Sequence, residues 1–495
     1  MYDVLLFTDN TNPIQISTAL GAYKVACVLR KHGYKVLVVN YFSKFDIDEM
    51  KRIIDSTVTD KLKVIGFSTT FLKTIDYKPL DTDVVFPQGK EFENEIISYA
   101  LQRNPKIKFI IGGAKSTQMC PNTNIDYAFI GYSESSIVNL LSHLTAGDTL
   151  KNSSRNAYGV TIIDDRTAPE YNFAMDPMIW EETDILNHKV LPLEIGRGCI
   201  FKCKFCSFPL RGKDNNLDYV KQPDILYQEL LDNYEKYGIK HYLIVDDTFN
   251  DNVHKLIEIE KVVKRLPFQP ILWCYARLDL ICTRPHTIDL LYNIGLRGLY
   301  FGIETLDERT GRIIGKGYDR QKQINMIAHI KETYPDIQLH GSFIMGLPNE
   351  TMQSMLQTGK QLSTGEIKLD SWMMRGLLIN YEDTLSFNSE IDLNYSNYGY
   401  IVSRKNSGSH FSWKNQHTTF EAVNGLANSF MAISKSKDYY KLPGHDLFEM
   451  INFGYNLEEI RSVPYKDFRF DLIESEAVPK FINEYKTLLF ATLDK

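Results

Sequence analysis

Cys199, Cys203 and Cys206 are three of only seven cysteines in 495 residues, yet they fall within eight positions of one another in the stretch EIGRGCIFKCKFCSFPLRGK. At this cysteine frequency such a run arises by chance roughly once in a thousand chains. Three thiolates on one compact loop are soft ligands, which select zinc or an iron–sulfur cluster. Structural zinc closes with four ligands. His188 lies 11 residues before the loop and the next histidine is His241, so neither supplies a nearby fourth donor. Three protein ligands instead leave one iron of a [4Fe–4S] cluster open to a small molecule. The cysteines are therefore expected to hold a redox cluster, with a zinc-stabilised binding module as the alternative. Cys27, Cys120, Cys274 and Cys282 are scattered and have no evident role.

The loop must be held by the elements around it. From about residue 190 the chain runs through VLPLEIG, HYLIVDD, PILWCYA, GLYFGIE, QLHGSFIMG and WMMRGLLIN, separated by amphipathic stretches such as DILYQELLDNYEKYG and NVHKLIEIEKVVKRL. Brief β-rich runs alternating with helical periodicity predict a partial (β/α)6 barrel of the TIM type over 189–385. Chemistry on such barrels sits at the carboxyl ends of the strands, and Cys199 follows the first. Residues 1–150 also alternate, through YDVLLF, YKVLVVNYF, KVIGFST, IKFIIGG and DYAFIG, with a helix over STALGAYKVACVLRKHG expected to be capped by Ser17 or Thr18 and ended by Gly33. This predicts a doubly wound, Rossmann-like α/β domain, its ligand end formed by the loops Thr8–Asn12, Ser68–Phe71, Gly112–Lys115 and Gly131–Glu134. No G-x-G-x-x-G follows its first strand, so a dinucleotide is not expected. Residues 151–188 read as a linker and 386–495 as an α+β extension, with a hairpin at 400–413 and a capped helix from Thr419.

Composition bounds the function. A 43% hydrophobic content supports two or three cores. Net charge is −6 with acids and bases interspersed, which argues against a general nucleic-acid binder. No run of about 18 apolar residues and no basic leader occurs, so a soluble cytoplasmic protein without a membrane partner is expected. The odd, dispersed cysteines fit a reducing compartment.

Past the cysteines, the sequence resembles the radical S-adenosylmethionine (radical SAM) enzymes. Their C-x3-C-x-aromatic-C run is matched by Cys199, Cys203, Phe205 and Cys206. VDDTFNDN (245–252) is similar to the second-strand acidic motif, YARLD (275–279) to the third-strand arginine segment, FGIETLDERTGRIIGKG (301–317) to the fourth-strand stretch, and GSFIMGLPNET (341–351) to the fifth-strand G-x-I-x-G-x-x-x-E motif, with Ser342 in place of its first glycine. The resemblance implies a [4Fe–4S] cluster on the three cysteines whose open iron binds S-adenosylmethionine, with reductive cleavage to a 5′-deoxyadenosyl radical and an external one-electron reductant. It also implies that Phe205 packs near adenine, that Glu304 holds the methionine moiety or ribose, and that Phe343, Ile344 and Gly346 lie near adenine. Asp247 and Arg277 are implied as further contacts, although Arg277 equally suits a bridge to Asp279, and Asp246, Asp247, Glu304 and Glu350 equally suit caps or solvated strand ends.

A doubly wound domain before such a barrel resembles the cobalamin-binding branch of that family, with GAYKVACVLRKHGYKVLVVNYF, FIIGGAKS and DYAFIGYSESSIVNLL as matching stretches. The D-x-H-x-x-G run, whose histidine would ligate cobalt, does not occur. Asp9 has no histidine two residues on, and His32 is at the far end of a helix. Cobalamin, and with it methyl transfer to a small molecule or peptide, is thus one expectation, and a domain that only shapes the entrance is the other. An RNA-modifying enzyme without cobalamin is a third reading, resting on the basic segment RGKDNNLDYVKQ after the cluster. His410, Trp413, His417 and Tyr440 form an aromatic-polar set for which packing is the default.

Overall fold

The computed structural model describes residues 1–495 except 13–14, 72–84, 115, 120, 167–170, 208–218, 318, 382–387 and 405–409. Cys120, Lys115, the Arg211–Asp218 part of the basic segment and the turn of the 400–413 hairpin therefore lie outside the described residues. Two compact units are present: Met1–Asn172 with Met178–His188 and Phe470–Lys495, and Phe173–Pro177 with Lys189–Arg469.

The first unit is built on a seven-stranded sheet. Its strands run in the order Val36–Val39, Val4–Phe7, Val64–Ser68, Lys108–Gly112, Tyr127–Gly131, Thr161–Asp165 and Ser153–Arg155. All neighbours are parallel except the last pair. Val4–Phe7 is fully buried, as expected of a central parallel strand covered on both faces. The five predicted strands are present, and their order turns back at the first strand, between Val36–Val39 and Val64–Ser68. The switch point of a doubly wound sheet therefore lies beside Thr8–Asn10 and Thr69–Phe71.

Three features differ from expectation. The helix Leu20–Lys31 begins at Ala19 without a side-chain cap, so neither Ser17 nor Thr18 caps it, while Gly33 (φ +86°) does end the turn. The stretch expected as a linker contributes Ser153–Arg155 and Thr161–Asp165 to the first sheet. The terminal helix Val478–Leu493, expected within the extension, joins the first unit. There the Tyr485 hydroxyl accepts from the Asn40 N–H (2.8 Å), and Tyr41, itself at φ +56°, is stacked on His188. His188 is buried, which pushes its pKa down to about 4, and its Nδ1 lies 2.7 Å from the Ile185 carbonyl.

The second unit is the half-barrel. Six parallel strands stand side by side in chain order: Val190–Leu193, His241–Ile244, Ile271–Ala276, Leu296–Glu304, Gln338–Met345 and Ser371–Gly376. Helices Pro223–Tyr237, Val253–Arg265, Arg320–Thr333 and Met352–Ser363 lie in the predicted alternation. The sixth strand is backed by Phe420–Lys435, capped by Thr419 as expected. At the amino end of the barrel, Phe448 and Ile451 pack with Trp273 and Val190 and close that end with an apolar cluster. Among the described residues no helix is long and apolar enough to cross a membrane.

Candidate functional site

The cysteine loop leaves the first barrel strand through a set of backbone bonds. Ile195 N–H donates to Asp246 Oδ1 (2.8 Å), Arg197 N–H to the Tyr219 carbonyl (2.8 Å) and Lys221 N–H to the Ile195 carbonyl (2.8 Å). Gly198 (φ +82°) turns the chain into the loop. Beyond it, Lys204 N–H bonds the Ile314 carbonyl (3.0 Å) and Cys206 N–H the Cys203 carbonyl (3.1 Å). Asp246 is buried at the end of the second strand, where burial pushes its pKa up to about 7 against the pull of Lys255 3.7 Å away. Its role is to anchor the loop.

Cys199, Cys203 and Cys206 are free thiols, all partly exposed. Cys199 Sγ lies 3.4 Å from Thr248 Oγ1 and accepts from the Phe201 N–H (3.5 Å). Arg277 Nη1 donates to Cys203 Sγ (3.5 Å). Burial raises the Cys203 thiol pKa, and Lys316 and Arg277 pull against it. Among the described residues no three His, Cys, Asp or Glu side chains converge to hold a single metal ion. Three thiols on one loop beside two cations suit an anionic iron–sulfur cluster.

Of the other predicted residues, Arg277 touches the loop at Cys203, and Glu304 reaches toward it through Lys316. Arg277 is doubly bonded to Asp279 (3.0 and 2.6 Å), donates to the Gly315 carbonyl (3.2 Å) and lies 4.1 Å over the Phe201 ring. Of its two expected partners, the structure shows Asp279. Glu304 ends the fourth strand at φ +65°, after a register shift against the fifth. Its Oε1 accepts from Lys316 Nζ (2.8 Å), which also donates to the Gly302 carbonyl (2.6 Å) and stands 5.9 Å from the Phe205 ring. A non-glycine residue in the left-handed region costs of order 1–3 kcal/mol and persists where surroundings over-determine it. Asp247 is half-buried, and burial with nearby Glu194 pushes its pKa up to about 6. Gly346 (φ +77°) is fixed by Glu350, which accepts from the Gly346 and Leu347 N–H groups (2.9 and 3.3 Å) and the Thr305 hydroxyl (2.9 Å). Trp413 packs against Gly346 and Tyr400 donates to its carbonyl (2.7 Å). Trp413 and Tyr440 are buried supports whose polar atoms bond the Leu377 and Trp372 carbonyls.

Alternation along Gln338–Met345 leaves Ser342 and Ile344 part-exposed and buries Gly341, Phe343 and Met345. A Cβ at Gly341 would meet Leu369, Phe343 and Ile303, so Phe343 packs among buried residues on the helix side of the sheet, opposite Ile344. Lys316 and Thr248 are partners the sequence reading did not single out, although both lie inside quoted motifs.

In the first unit, Thr8 Oγ1, Thr18 Oγ1 and Asn40 Nδ2 are buried without a hydrogen-bond partner among the described residues, two of them at the carboxyl ends of adjacent strands. A ligand edged with amides could satisfy such atoms. Gly113 (φ +104°) lies so close to Thr70 that a Cβ there would clash with it.

Residues 193–362 match the Radical SAM superfamily. An uncharacterized methyltransferase of Pyrococcus horikoshii is 31% identical over 171 residues, covering 33% of this chain and 34% of that protein. The chain spans between about a third and three-fifths of the length of the first curated relatives it matches. Among solved structures, the radical S-adenosylmethionine methyltransferase TsrM from Kitasatospora setae, with cobalamin and a [4Fe–4S] cluster bound, aligns with a TM-score of 0.65 at 13% identity, covering 97% of this chain and all of that one. OxsB, a cobalamin-dependent S-adenosylmethionine radical enzyme, aligns with a TM-score of 0.59 at 14% identity, over 99% of this chain and 80% of that one. The cysteine loop, the strand-end residues around it and these matches agree: residues 193–362 match the Radical SAM superfamily, and the chain has the fold of cobalamin-dependent members.

Proposed function

We propose that the chain is a cobalamin-dependent radical SAM methyltransferase acting on a small molecule, with an external one-electron reductant. The observation that carries this reading is the gathering of Cys199, Cys203, Phe205, Arg277 and the Glu304–Lys316 pair at one end of the barrel. When bound, the cluster supplies an electron to S-adenosylmethionine and cobalamin supplies a methyl carrier. Cys199, Cys203 and Cys206 would hold the cluster. Lys316 and Arg277 offset the thiolate charge in a partly dehydrated setting, where each such contact is stronger than in water. Glu304, aimed by its left-handed backbone, would accept hydrogen bonds from the ammonium or ribose hydroxyls of S-adenosylmethionine. Phe205 and Ile344 would supply apolar contacts to adenine. Thr8, Thr18 and Asn40 would meet the amide edge of the corrin.

TsrM has also been solved with tryptophan substrate and a SAM analogue, which favours a small-molecule substrate over a peptide here. The test is anaerobic incubation of reduced protein with S-adenosylmethionine, hydroxocobalamin and a panel of small molecules, followed by quantification of nucleoside products. Cobalamin retained on gel filtration, with S-adenosylhomocysteine accumulating beside 5′-deoxyadenosine, is expected. Deoxyadenosine alone with no cobalamin retained refutes methyl transfer while leaving a radical SAM enzyme.

A further inference from the structure

The inner face of the half-barrel carries two features that the cluster and cofactor residues leave unused. Tyr275 sits in the third strand, with strands paired on either side, yet it is 41% exposed. Its outward neighbours Cys274 and Ala276 are buried, so this exposed area faces the lumen. Across the pair, Tyr300 stands with its ring 4.9 Å from that of Tyr275, tilted by 57°. The Tyr300 hydroxyl reaches Met373 Sδ (2.7 Å) on the sixth strand. Val245, 42% exposed at the end of the second strand, continues the same surface. Together these make an open wall of two tilted rings edged by apolar atoms, which takes a flat, polarizable group.

The second feature is Arg375. Gly376 packs against Val423 and Asn424 of the helix behind the sheet, so the alternate residues Met373 and Arg375 face inward. Arg375 is exposed, and among the described residues no carboxylate, carbonyl or ring partners it. Burial raises the Tyr300 pKa, and the Arg375 charge is among those that pull against it. Arg375 is level with Ile344 and stands two residues beyond Met373, about 7 Å along the strand at a rise of about 3.4 Å per residue. A planar ring lying on Tyr275 and Tyr300 and bearing a carboxylate on a one- or two-carbon arm spans that offset. A guanidinium matches a carboxylate with two parallel N–H bonds, which lysine cannot.

On this basis, and resting on the radical SAM reading above, we infer that Arg375 is a specificity-determining residue that grips the carboxylate of an aromatic acid substrate seated on Tyr275 and Tyr300. The unreacted substrate is held here, and no bond is made or broken by Arg375 itself. Glu304 also acts on Tyr300, so acid binding and S-adenosylmethionine binding are measured separately on each variant.

The test uses anaerobically reconstituted holoenzyme loaded with S-adenosylmethionine and matched probe pairs with and without the carboxylate: L-tryptophan against tryptamine, indole-3-acetate against 3-methylindole. Binding is read by calorimetry. At least one acid should bind on the order of tenfold tighter than its partner, about 1.4 kcal/mol. Arg375→Met should reduce that preference to about twofold or less, Arg375→Lys should restore part of it, and S-adenosylmethionine affinity should not change. Tyr275→Ala should weaken both members of a pair alike. Equal binding of acids and their partners, no saturable binding of any acid, or a preference unchanged by Arg375→Met overturns the inference. So does loss of S-adenosylmethionine affinity in Arg375→Met, which would move the residue to the cofactor. Failure of the holoenzyme to bind S-adenosylmethionine at all would instead strike the underlying reading.

Discussion

Gly302→Ala puts the Glu304–Lys316 pair under direct test. A methyl carbon at Gly302 would lie 2.6 Å from Glu304 Oε1 and 2.7 Å from Lys316 Nζ, where ordinary contact begins near 3.4 Å. Both atoms are the far ends of flexible side chains, so they can move, but Lys316 Nζ gives up its bonds to the Gly302 carbonyl (2.6 Å) and Glu304 (2.8 Å) if it does. The least disruptive response is to break the ion pair and swing the carboxylate away. If that carboxylate makes one charge-assisted hydrogen bond to S-adenosylmethionine, its loss is worth about 1.5–3 kcal/mol, roughly 10- to 150-fold in affinity. Iron content and far-ultraviolet circular dichroism should stay at wild-type values, because the thiols keep their positions. Calorimetric titration of S-adenosylmethionine into reconstituted protein measures the effect. In a Glu304→Gln background the Gly302→Ala change should add little, since both act through one carboxylate. Affinity within twofold of wild type in an iron-replete Gly302→Ala protein, or full additivity in the double variant, would refute the assignment.

Two other outcomes follow from the site. Replacing Cys199, Cys203 and Cys206 together by Ala should remove nearly all iron from anaerobically purified protein while it stays folded, and retention of about four irons per chain would exclude these ligands. Glu350 has its pKa raised by burial to about 7, so the folded state holds the proton more tightly than the unfolded one. This contribution is fully present below the unfolded value near 4.5 and is lost as pH rises through about 7, with about 1.3 kcal/mol of the loss falling between pH 6 and 8. Glu350→Gln should therefore reduce the pH slope of urea midpoints over that interval, and an unchanged slope counts against the buried-acid account.

Much of this was legible in the chain because the informative patterns are local. The six barrel strands announce themselves as short β-branched or aromatic runs between amphipathic helices, and the cysteine spacing lies within one loop. Thr419 caps its helix as its type suggests. The misses share a different cause. Ser153–Arg155 is fully exposed and polar, so no apolar alternation marks it, and only pairing with Thr161–Asp165 makes it a strand. The return of Val478–Leu493 to the first sheet is settled by contacts such as Tyr485 with Asn40, 445 positions apart. The direction in which Phe343 points was not legible because a strand with two half-buried faces does not reveal which parity faces the helices; the neighbours Ile303 and Leu369 decide it. Lys316 escaped notice because a lone lysine in a glycine-flanked turn resembles solvent-facing sequence until Glu304 is seen opposite.

The left-handed backbone of Glu304 has a consequence for anyone engineering this protein. Glycine, or to a lesser degree asparagine, occupies that conformation at lower cost than glutamate. A library selected only for heat resistance should enrich Glu304→Gly or Glu304→Asn together with a neutral residue at Lys316, because each relieves strain at φ +65° but alone leaves a nearly buried ammonium unpaired. The winners of such a selection would be sturdier proteins stripped of the carboxylate that the strained backbone aims. Screens on this scaffold therefore need a cofactor-binding counter-selection at position 304, or its most rewarded substitutions will be the least useful.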